Sequence, residues 1–265
     1  MRRLFFYLRH ATTNLRHSGH WTVFAVFCVA AGVATVVALR SLGLSITDSL
    51  LGNLRQYNHG DILLSAIPNL GPFNGAFQRG ADEPSIFRER TQQFARDWTA
   101  QHDGQLTMFT LVNNVQMTPI GVSGMGRPQF ISTYLIDPQT FDISGPITAV
   151  DPAGRRLPEL LAGEFTIVIS QSLADSQRLK VGDPVRLSGT EQPFTISGIV
   201  PSESEANINN ILASFFGFIY IDRRYAETLQ LNTNPNQIGI VLPDTLTSEE
   251  IRAAANELTP MYLHP

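Results

Sequence analysis

The stretch 166–200, TIVISQSLADSQRLKVGDPVRLSGTEQPFTISGIV, contains the pattern that decides the fold. It predicts a short helix over Ser170–Leu179, followed by strands over Val185–Leu187 and Phe194–Val200. Gly182-Asp183 supplies a tight turn before the first of these strands, because Asp can bond its own backbone. The segment therefore predicts strands that alternate with short helices.

The apolar positions of this stretch are predicted to be core. They are Val185, Leu187, Phe194, Ile196 and Ile199. Ser170, Ser172 and Asp175 superficially suggest a catalytic group, but capping of the helix by Ser170 explains them more simply. These are folding residues and not reactive ones.

Outward from this stretch, the same patterns predict further elements. Strands are expected at Ile62–Ser65, Leu106–Met117, Gln129–Ile136, Gly217–Ile221 and Ile238–Leu242, with a helical turn at Tyr225–Leu229. Residues 66–82 are rich in Gly, Pro and Asn and are expected to form a loop. Together, these strands and the few helices between them predict a mixed α+β body and not a sandwich. A division of this body into two subdomains stays open.

Two longer helices are predicted in this body. The first opens at Pro84 and Ser85 and runs to about His102, with Phe87, Phe94 and Trp98 on one face. The last begins at a capping box formed by Thr247 and Glu250 and buries Ile251, Ala254 and Leu258.

Near the N-terminus, WTVFAVFCVAAGVATVVAL (Trp21–Leu39) is 19 residues long and uncharged. A helix of this length is about 28 Å long, close to the ~30 Å hydrocarbon core of a bilayer. We expect a retained membrane helix over Trp21–Leu42, anchored by Trp21 and Arg40 at its ends, with Gly32 and the alanines forming strips where another helix can approach. Its outward continuation reaches about Leu54. A cleaved signal peptide and a buried soluble helix are the alternatives.

The charge distribution sets the orientation of this helix. Residues 1–55 carry six arginines against Asp48, a net charge of +5, whereas the remainder carries 13 basic and 22 acidic residues, a net charge of −9. The positive-inside rule places the N-terminus in the cytoplasm and the body on the far side. An acidic body argues against nucleic-acid binding. Cys28 lies in the apolar run, so the body contains no disulfide.

The first 20 residues have a pattern of their own. Apolar residues recur there at helical spacing, which predicts an amphipathic helix at the cytoplasmic interface, with a solvated basic tail as the alternative. The apolar positions are Leu4, Tyr7, Leu8, Ala11 and Leu15.

A search for reactive groups finds no catalytic residue, cofactor site or metal site. GVSGMG (Gly121–Gly126) fails the nucleophile-elbow spacing and is expected to be a turn. The acidic pair Glu203 and Glu205 is expected to be solvated in a polar loop over Glu203–Asn210. The histidines lack carboxylate or cysteine partners at ligand spacing; they are His10, His17, His20, His59, His102 and His264.

The 166–200 stretch resembles the extracytoplasmic core domain of MacB/FtsX-type ABC transporter permeases. In that family a helix with a Leu-Ala pair precedes a "G-L-K-V-G-D-x-V-x-L" turn and strand, and an "F-x-V-x-G-I-V" strand closes the motif. The matching residues here are Leu173, Ala174, Val181, Gly182, Asp183, Val185, Phe194 and Gly198. Leu8-Arg9-His10 and Gly60-Asp61 also match the elbow and the first outer strand of the family.

The resemblance implies an organisation of three segments. These are a cytoplasmic amphipathic elbow (1–20), a transmembrane helix with its outward extension (21–54) and an extracytoplasmic core domain (55–265). Family members continue into three more membrane helices, which are missing here, so a truncated permease is expected. Without those helices, the chain would be a single-pass protein of the cell (inner) membrane.

The function implied is that of a permease subunit without enzyme activity of its own. Such a subunit pairs with an ABC ATPase, forms a homo- or heterodimer with another permease, contacts membrane lipid and couples ATP hydrolysis to export or extraction of lipoprotein, lipid, peptide or drug. An anchored sensor or scaffold without an ATPase is the second hypothesis, and an anchored hydrolase is the third.

Overall fold

A computed structural model describes residues 24, 26–37, 40, 55, 58–66, 86–121, 128–205, 213 and 216–258. The chain forms two compact units, Met1–Asn53 and Leu54–Pro265.

In the first unit, residues 26–37, including Gly32, are helical and exposed. Arg40 is also helical and exposed. Within the described ranges, no helix combines the length and the apolarity needed to cross a bilayer. The predicted elbow (1–20), the anchor Trp21 and the extension over 41–54 lie outside the described residues.

The second unit is an α+β domain, as predicted, and it is built on a sheet with both parallel and antiparallel pairs. In the part of the chain that the structure describes, its eight strands follow the order β1-β8-β2-β3-β7-β4-β6-β5, and β5 also pairs with β2. The strands are β1 (Ile62–Ser65), β2 (Gln105–Pro119), β3 (Gln129–Ile136), β4 (Thr166–Ser170), β5 (Pro184–Leu187), β6 (Phe194–Val200), β7 (Phe218–Asp222) and β8 (Gln237–Val241). The extra β2–β5 pairing closes β2, β3, β7, β4, β6 and β5 into a barrel.

Strand β2 is 15 residues long and belongs to two parts of the sheet. Its first residues, Gln105–Phe109, pair antiparallel with β8, which in turn pairs with β1. The rest of β2 pairs with β3, and Met117–Pro119 pairs with β5. The Asn236 side chain bridges the two parts, since its amide accepts from the Leu111 N–H and donates to the Leu111 carbonyl, both at 2.8 Å.

The barrel strands alternate between two buried clusters, as a period of two requires. In β7, Ile219 and Ile221 join side chains from all the other barrel strands in one cluster, which fills the barrel. Phe218 and Tyr220 point to the opposite side, into a second cluster. That second cluster is covered by the 3₁₀ turn Phe141–Ser144 and the short helix α2 (Leu157–Leu160).

A third cluster lies on the small sheet of β1, β8 and the start of β2. Helix α1 (Glu89–Gln101) and helix α4 (Ser248–Leu258) pack on it through Trp98, Ala254 and Leu258. The capping box predicted for α4 is confirmed, because Glu250 accepts from the Thr247 N–H at 2.7 Å and Thr247 accepts from the Glu250 N–H at 3.4 Å.

Helix α1 differs from its prediction at its start and in its buried face. Ile86–Arg88 precede the helix as extended chain, because the Phe87 N–H donates to the Pro235 carbonyl at 2.8 Å. The predicted start at Pro84 and Ser85 lies outside the described residues. The predicted apolar face is wrong for Phe94, which is 42% exposed; Gln92, Ala95, Trp98 and Thr99 are the buried positions.

The stretch 166–200 folds closely as expected. Helix α3 (Gln171–Gln177) follows β4 directly, and Ser170 caps it by accepting from the Leu173 N–H at 3.4 Å. Gly182 adopts a φ of +95° in the following turn, and Asp183 accepts from the Lys180 N–H at 2.8 Å. The Ser170 hydroxyl also accepts from the Phe218 N–H, which ties α3 to β7.

Candidate functional site around Arg55 and His59

Arg55 joins the start of the second unit to the segment that precedes α4. Its guanidinium donates to the Asp61 carboxylate at 3.0 Å, to the Leu242 carbonyl at 2.6 Å and to the Asp244 carboxylate. Asp61 completes the arrangement by accepting from the Leu242 N–H at 2.8 Å. We call Arg55, Asp61 and Asp244, with the backbone of Leu242, the Arg55 clamp.

The clamp is an ionic group at a partly solvated position. The side chain of Arg55 is 34% exposed, and that of Asp61 is 13% exposed. The hydrogen bond to Asp244 raises the pKa of Arg55, and the charges of Asp61 and Asp244 act in the same direction, while burial opposes them. The guanidinium therefore stays charged, and its fork geometry holds two chain segments at once.

Between Arg55 and β1 the chain makes a tight turn, His59–Asp61. His59 has a left-handed backbone with a φ of +52°, and Gly60 has a φ of +153°. The Gly60 N–H donates to the Arg55 carbonyl and the Asp61 N–H donates to the Ile240 carbonyl, both at 2.8 Å.

This turn, the His59 turn, lies so close to β8 that side chains are excluded at two points. A Cβ on Gly60 would lie 2.4 Å from the Ile240 oxygen. A Cβ on Gly239 would lie 2.3 Å from the His59 oxygen. Glycine is required at both positions, since each distance is shorter than any real contact of a Cβ atom.

The imidazole of His59 is 3% exposed and forms a buried polar network with Glu205 and Tyr220. Its Nε2 lies 3.1 Å from Glu205 Oε2, and the Tyr220 hydroxyl donates to Glu205 Oε1. Glu205 is 1% exposed and Tyr220 is fully buried. Glu205 ends a 3₁₀ turn, Ser202–Glu205, and Tyr220 lies in the middle of β7.

The network is surrounded by aromatic rings of the second cluster. The His59 ring lies 4.5 Å from Phe141 and 4.9 Å from Phe109, measured between centroids. Tyr134 packs against Tyr220 at 5.6 Å. In this apolar setting hydrogen bonds are electrostatically strong and an unpaired polar group is costly.

Burial is the main cause that raises the pKa of Tyr220 well above its ordinary value, and the charge of Glu205 and the hydrogen bond to it add to this effect. The phenol is thus a donor under physiological conditions, and Glu205 is its acceptor. One expectation from the sequence is therefore wrong, because Glu205 is buried and not solvated. The fold also brings His59 to a carboxylate that lies 146 positions away in the sequence.

The residues of the family motif lie together around α3 and the β5–β6 hairpin. Leu173, Ala174, Val185 and Phe194 are buried, whereas Val181 is 37% exposed in the turn. A Cβ on Gly198 would lie 2.7 Å from the Leu160 side chain, so this glycine allows α2 to pack on β6. Leu173, Ala174, Val185 and Phe194 form part of the core, and they are separate from the Arg55 clamp and the buried polar network.

A cleft with a volume of about 630 Å³ is lined among others by Asp137, Asp222, Arg223 and Glu227. Arg224 also lines the cleft, and its guanidinium donates to the Leu161 and Gly163 carbonyls at 3.1 and 2.6 Å. Among the residues that the structure describes, no cluster of three or more His, Cys, Asp or Glu side chains is arranged to hold a metal ion.

These features define a mixed α+β domain in which polar sites connect distant segments of the fold. The sequence matches the MacB-like periplasmic core domain family over residues 22–258. The chain belongs to the family of MacB-like periplasmic core domains, as the 166–200 stretch predicted.

The solved structures that are similar to this chain include the following three. The extracellular domain of the noncanonic ABC-type transporter YknZ from Gram-positive bacteria is 14% identical over 76% of this chain and 90% of its own, with a TM-score of 0.46. The periplasmic region of MacB from Actinobacillus actinomycetemcomitans is 14% identical over 81% and 89%, with a TM-score of 0.49. A domain of a putative permease from Porphyromonas gingivalis is 21% identical over 59% and 63%, with a TM-score of 0.36. No protein with a curated description matches the sequence.

Proposed function

We propose that this chain is a permease subunit of an ABC transporter. The observation that carries the proposal is the family match over residues 22–258, which begins within the apolar stretch and covers nearly all of the second unit. In this proposal residues 21–42 cross the cell membrane, the arginine-rich N-terminus lies in the cytoplasm, and residues 55–265 lie on the far side.

The Arg55 clamp gives the second unit a mechanical role in this scheme. Arg55 lies just after the predicted outward extension of the membrane helix. Through Asp61 and Leu242 it holds the first strand and the segment that leads into α4. A displacement of the chain at Arg55 would therefore displace β1 and β8 together, without first unfolding a loop.

The subunit itself would not be an enzyme. ATP hydrolysis would take place in an ABC ATPase in the cytoplasm, and the membrane part would pair with a second permease, identical or different, and with lipid. The acidic second unit would present the surface for an exported or extracted substrate, such as a lipoprotein, lipid, peptide or drug.

A co-reconstitution experiment tests the coupling. The chain is expressed with any ABC ATPase encoded beside it and with any further membrane segments encoded downstream, and the complex is purified into nanodiscs. We expect ATP hydrolysis to fall at least about fivefold when Arg55→Ala and Asp61→Asn are introduced together, while the complex remains assembled. Exposed Arg252 supplies the control, since Arg252→Ala should leave the rate unchanged.

Hydrolysis that is indifferent to the clamp would contradict this mechanical role. The absence of any associating ATPase would instead favour an anchored sensor or scaffold.

Membrane orientation is tested separately by thiol labelling. Cys28→Ala removes the native thiol, and Ser18→Cys or Glu191→Cys introduces a single new one. We expect a membrane-impermeant maleimide to label position 191, but not position 18, in spheroplasts. Labelling of position 18 alone would reverse the proposed orientation.

A further inference from the structure

We propose that the buried polar network of His59, Glu205 and Tyr220 is a coupling device, which passes movement of the His59 turn to the turn Ser202–Glu205 and to β7. The coupling is a property of the second unit itself. The inference rests on the proposed function only for the source of the movement, which would be the chain at Arg55.

The first argument is the position of the network in the fold. Its three side chains come from the His59 turn, from the end of the segment after β6 and from the centre of the barrel wall. His59 and Glu205 are 146 positions apart in sequence, yet they are in direct contact. A polar contact of this kind joins segments that the sheet ladder leaves unconnected.

The second argument is that both ends of the network are held rigidly. At one end, close approaches at Gly60 and Gly239 press the His59 turn onto β8. At the other end, Tyr220 is paired with Tyr134 on β3 and with Val168 on β4. The turn Ser202–Glu205 is itself attached to α3, because Ser202 Oγ accepts from the Ser172 N–H at 2.8 Å.

The third argument is chemical. Glu205 accepts from the Tyr220 hydroxyl and is paired with His59 inside an aromatic cluster, where these polar groups have no access to solvent. Separating His59 from Glu205 by even 1 Å would leave a buried donor and a buried carboxylate without each other. Because this loss would be costly, a displacement of His59 should be followed by Glu205 before the contact breaks.

Hydrogen exchange on the full chain in detergent tests the device. The informative variant is His59→Asn, since Asn tolerates the left-handed backbone of this position but is too short to reach Glu205. We expect the amides of residues 202–205 to exchange at least about tenfold faster, and those of Ile219–Ile221 to follow. The amides of α1 and β5 should keep their rates.

Two further variants complete the test. Tyr220→Phe removes the hydroxyl without changing the ring. We expect it to raise the hydrogen-exchange rates of the amides of residues 202–205 as well. His102→Asn is the matched control, because His102 stacks on Trp98 at 4.0 Å in a different cluster; it should leave residues 202–205 unchanged.

The proposal is overturned if His59→Asn leaves residues 202–205 unchanged, or if it accelerates every amide of the second unit equally, as a merely structural residue would. The readout needs neither nucleotide nor ATPase. The absence of an associating ATPase together with a localised exchange response would therefore count against the proposed function and leave the coupling in place. A functional transporter whose residues 202–205 do not respond to His59→Asn would overturn the coupling and leave the proposed function in place.

Discussion

The imidazole of His59 lies 3.1 Å from the carboxylate of Glu205, and each of these side chains is almost completely buried. The contact joins the His59 turn to the turn Ser202–Glu205, which follows β6 in the chain. It turns what would be two surface loops into parts of the core. The stability of this region should therefore depend strongly on each partner.

Removal of the central acceptor tests that dependence. Glu205→Ala leaves the Tyr220 hydroxyl and His59 without their partner, so we expect the free energy of unfolding to fall by about 3 kcal/mol. Urea unfolding of the chain in mild detergent, followed by circular dichroism, measures the change. The neighbouring Glu203 is exposed, and Glu203→Ala should alter the value by less than about 0.5 kcal/mol.

The close approach of the His59 turn to β8 predicts a large effect of a single methyl group. Gly60→Ala would place a Cβ 2.4 Å from the Ile240 oxygen, and we expect a loss of more than about 3 kcal/mol. Gly154→Ala is the control for backbone conformation alone, because Gly154 has a φ of +78° but open space around it. It should cost only about 1 kcal/mol. Equal losses in thermal or urea unfolding would show that contact with β8 is unimportant.

A double-mutant cycle tests the Arg55 clamp. Arg55→Ala and Asp61→Asn should each destabilise the second unit, and we expect a coupling energy of about 1 kcal/mol, modest because Arg55 is partly solvated. The same cycle for the exposed pair Arg252 and Glu249 should give a coupling near zero. Raising the salt concentration should lower the coupling energy between Arg55 and Asp61 only partly. Strict additivity of Arg55→Ala and Asp61→Asn would argue against the clamp.

The start of α4 should respond to pH. Hydrogen bonds from the Thr247 N–H and hydroxyl lower the pKa of Glu250. A group with a lowered pKa in the folded state stabilises above its unfolded pKa, and that contribution disappears as the pH falls through the folded pKa. Helix α4 should therefore lose protection from hydrogen exchange on acidification below about pH 4.5.

Glu250→Gln should remove this pH dependence while retaining an oxygen that accepts from Thr247. The matched variant Glu249→Gln should retain it, because Glu249 is exposed and contacts only Arg252 among its described ion pairs. If α4 of Glu250→Gln still lost protection from hydrogen exchange on acidification, the pH dependence would belong to another titrating group.

The sequence predicted those parts of the fold that depend on local patterns. The strands Ile62–Ser65, Gln129–Ile136 and Phe194–Val200 have the predicted bounds, because runs rich in apolar and β-branched residues and the turn residues beside them define them locally. The caps at Ser170 and Thr247 were also predictable, since capping depends on residues three positions apart.

The prediction failed where a contact between distant segments decides the structure. The start of α1 depends on a hydrogen bond from Phe87 to Pro235, about which the local sequence carries no information. The burial of Glu205 likewise depends on His59 and Tyr220. An acidic residue in a polar stretch looks solvated until the fold brings a histidine and a tyrosine to it. Gly60, which follows His59, was the available signal in the sequence for a tight turn at this point, because glycine allows the backbone to approach another strand closely.

The division of β2 between the barrel and the small sheet has a consequence for how this protein folds and diverges. Neither part can lose its strand without taking backbone partners from the other, so we expect the two to melt in one cooperative transition. An exchange of the small sheet between relatives would have to preserve the register along the whole of β2. The second unit should therefore be inherited and engineered as one piece, even though its apolar residues form three separate clusters.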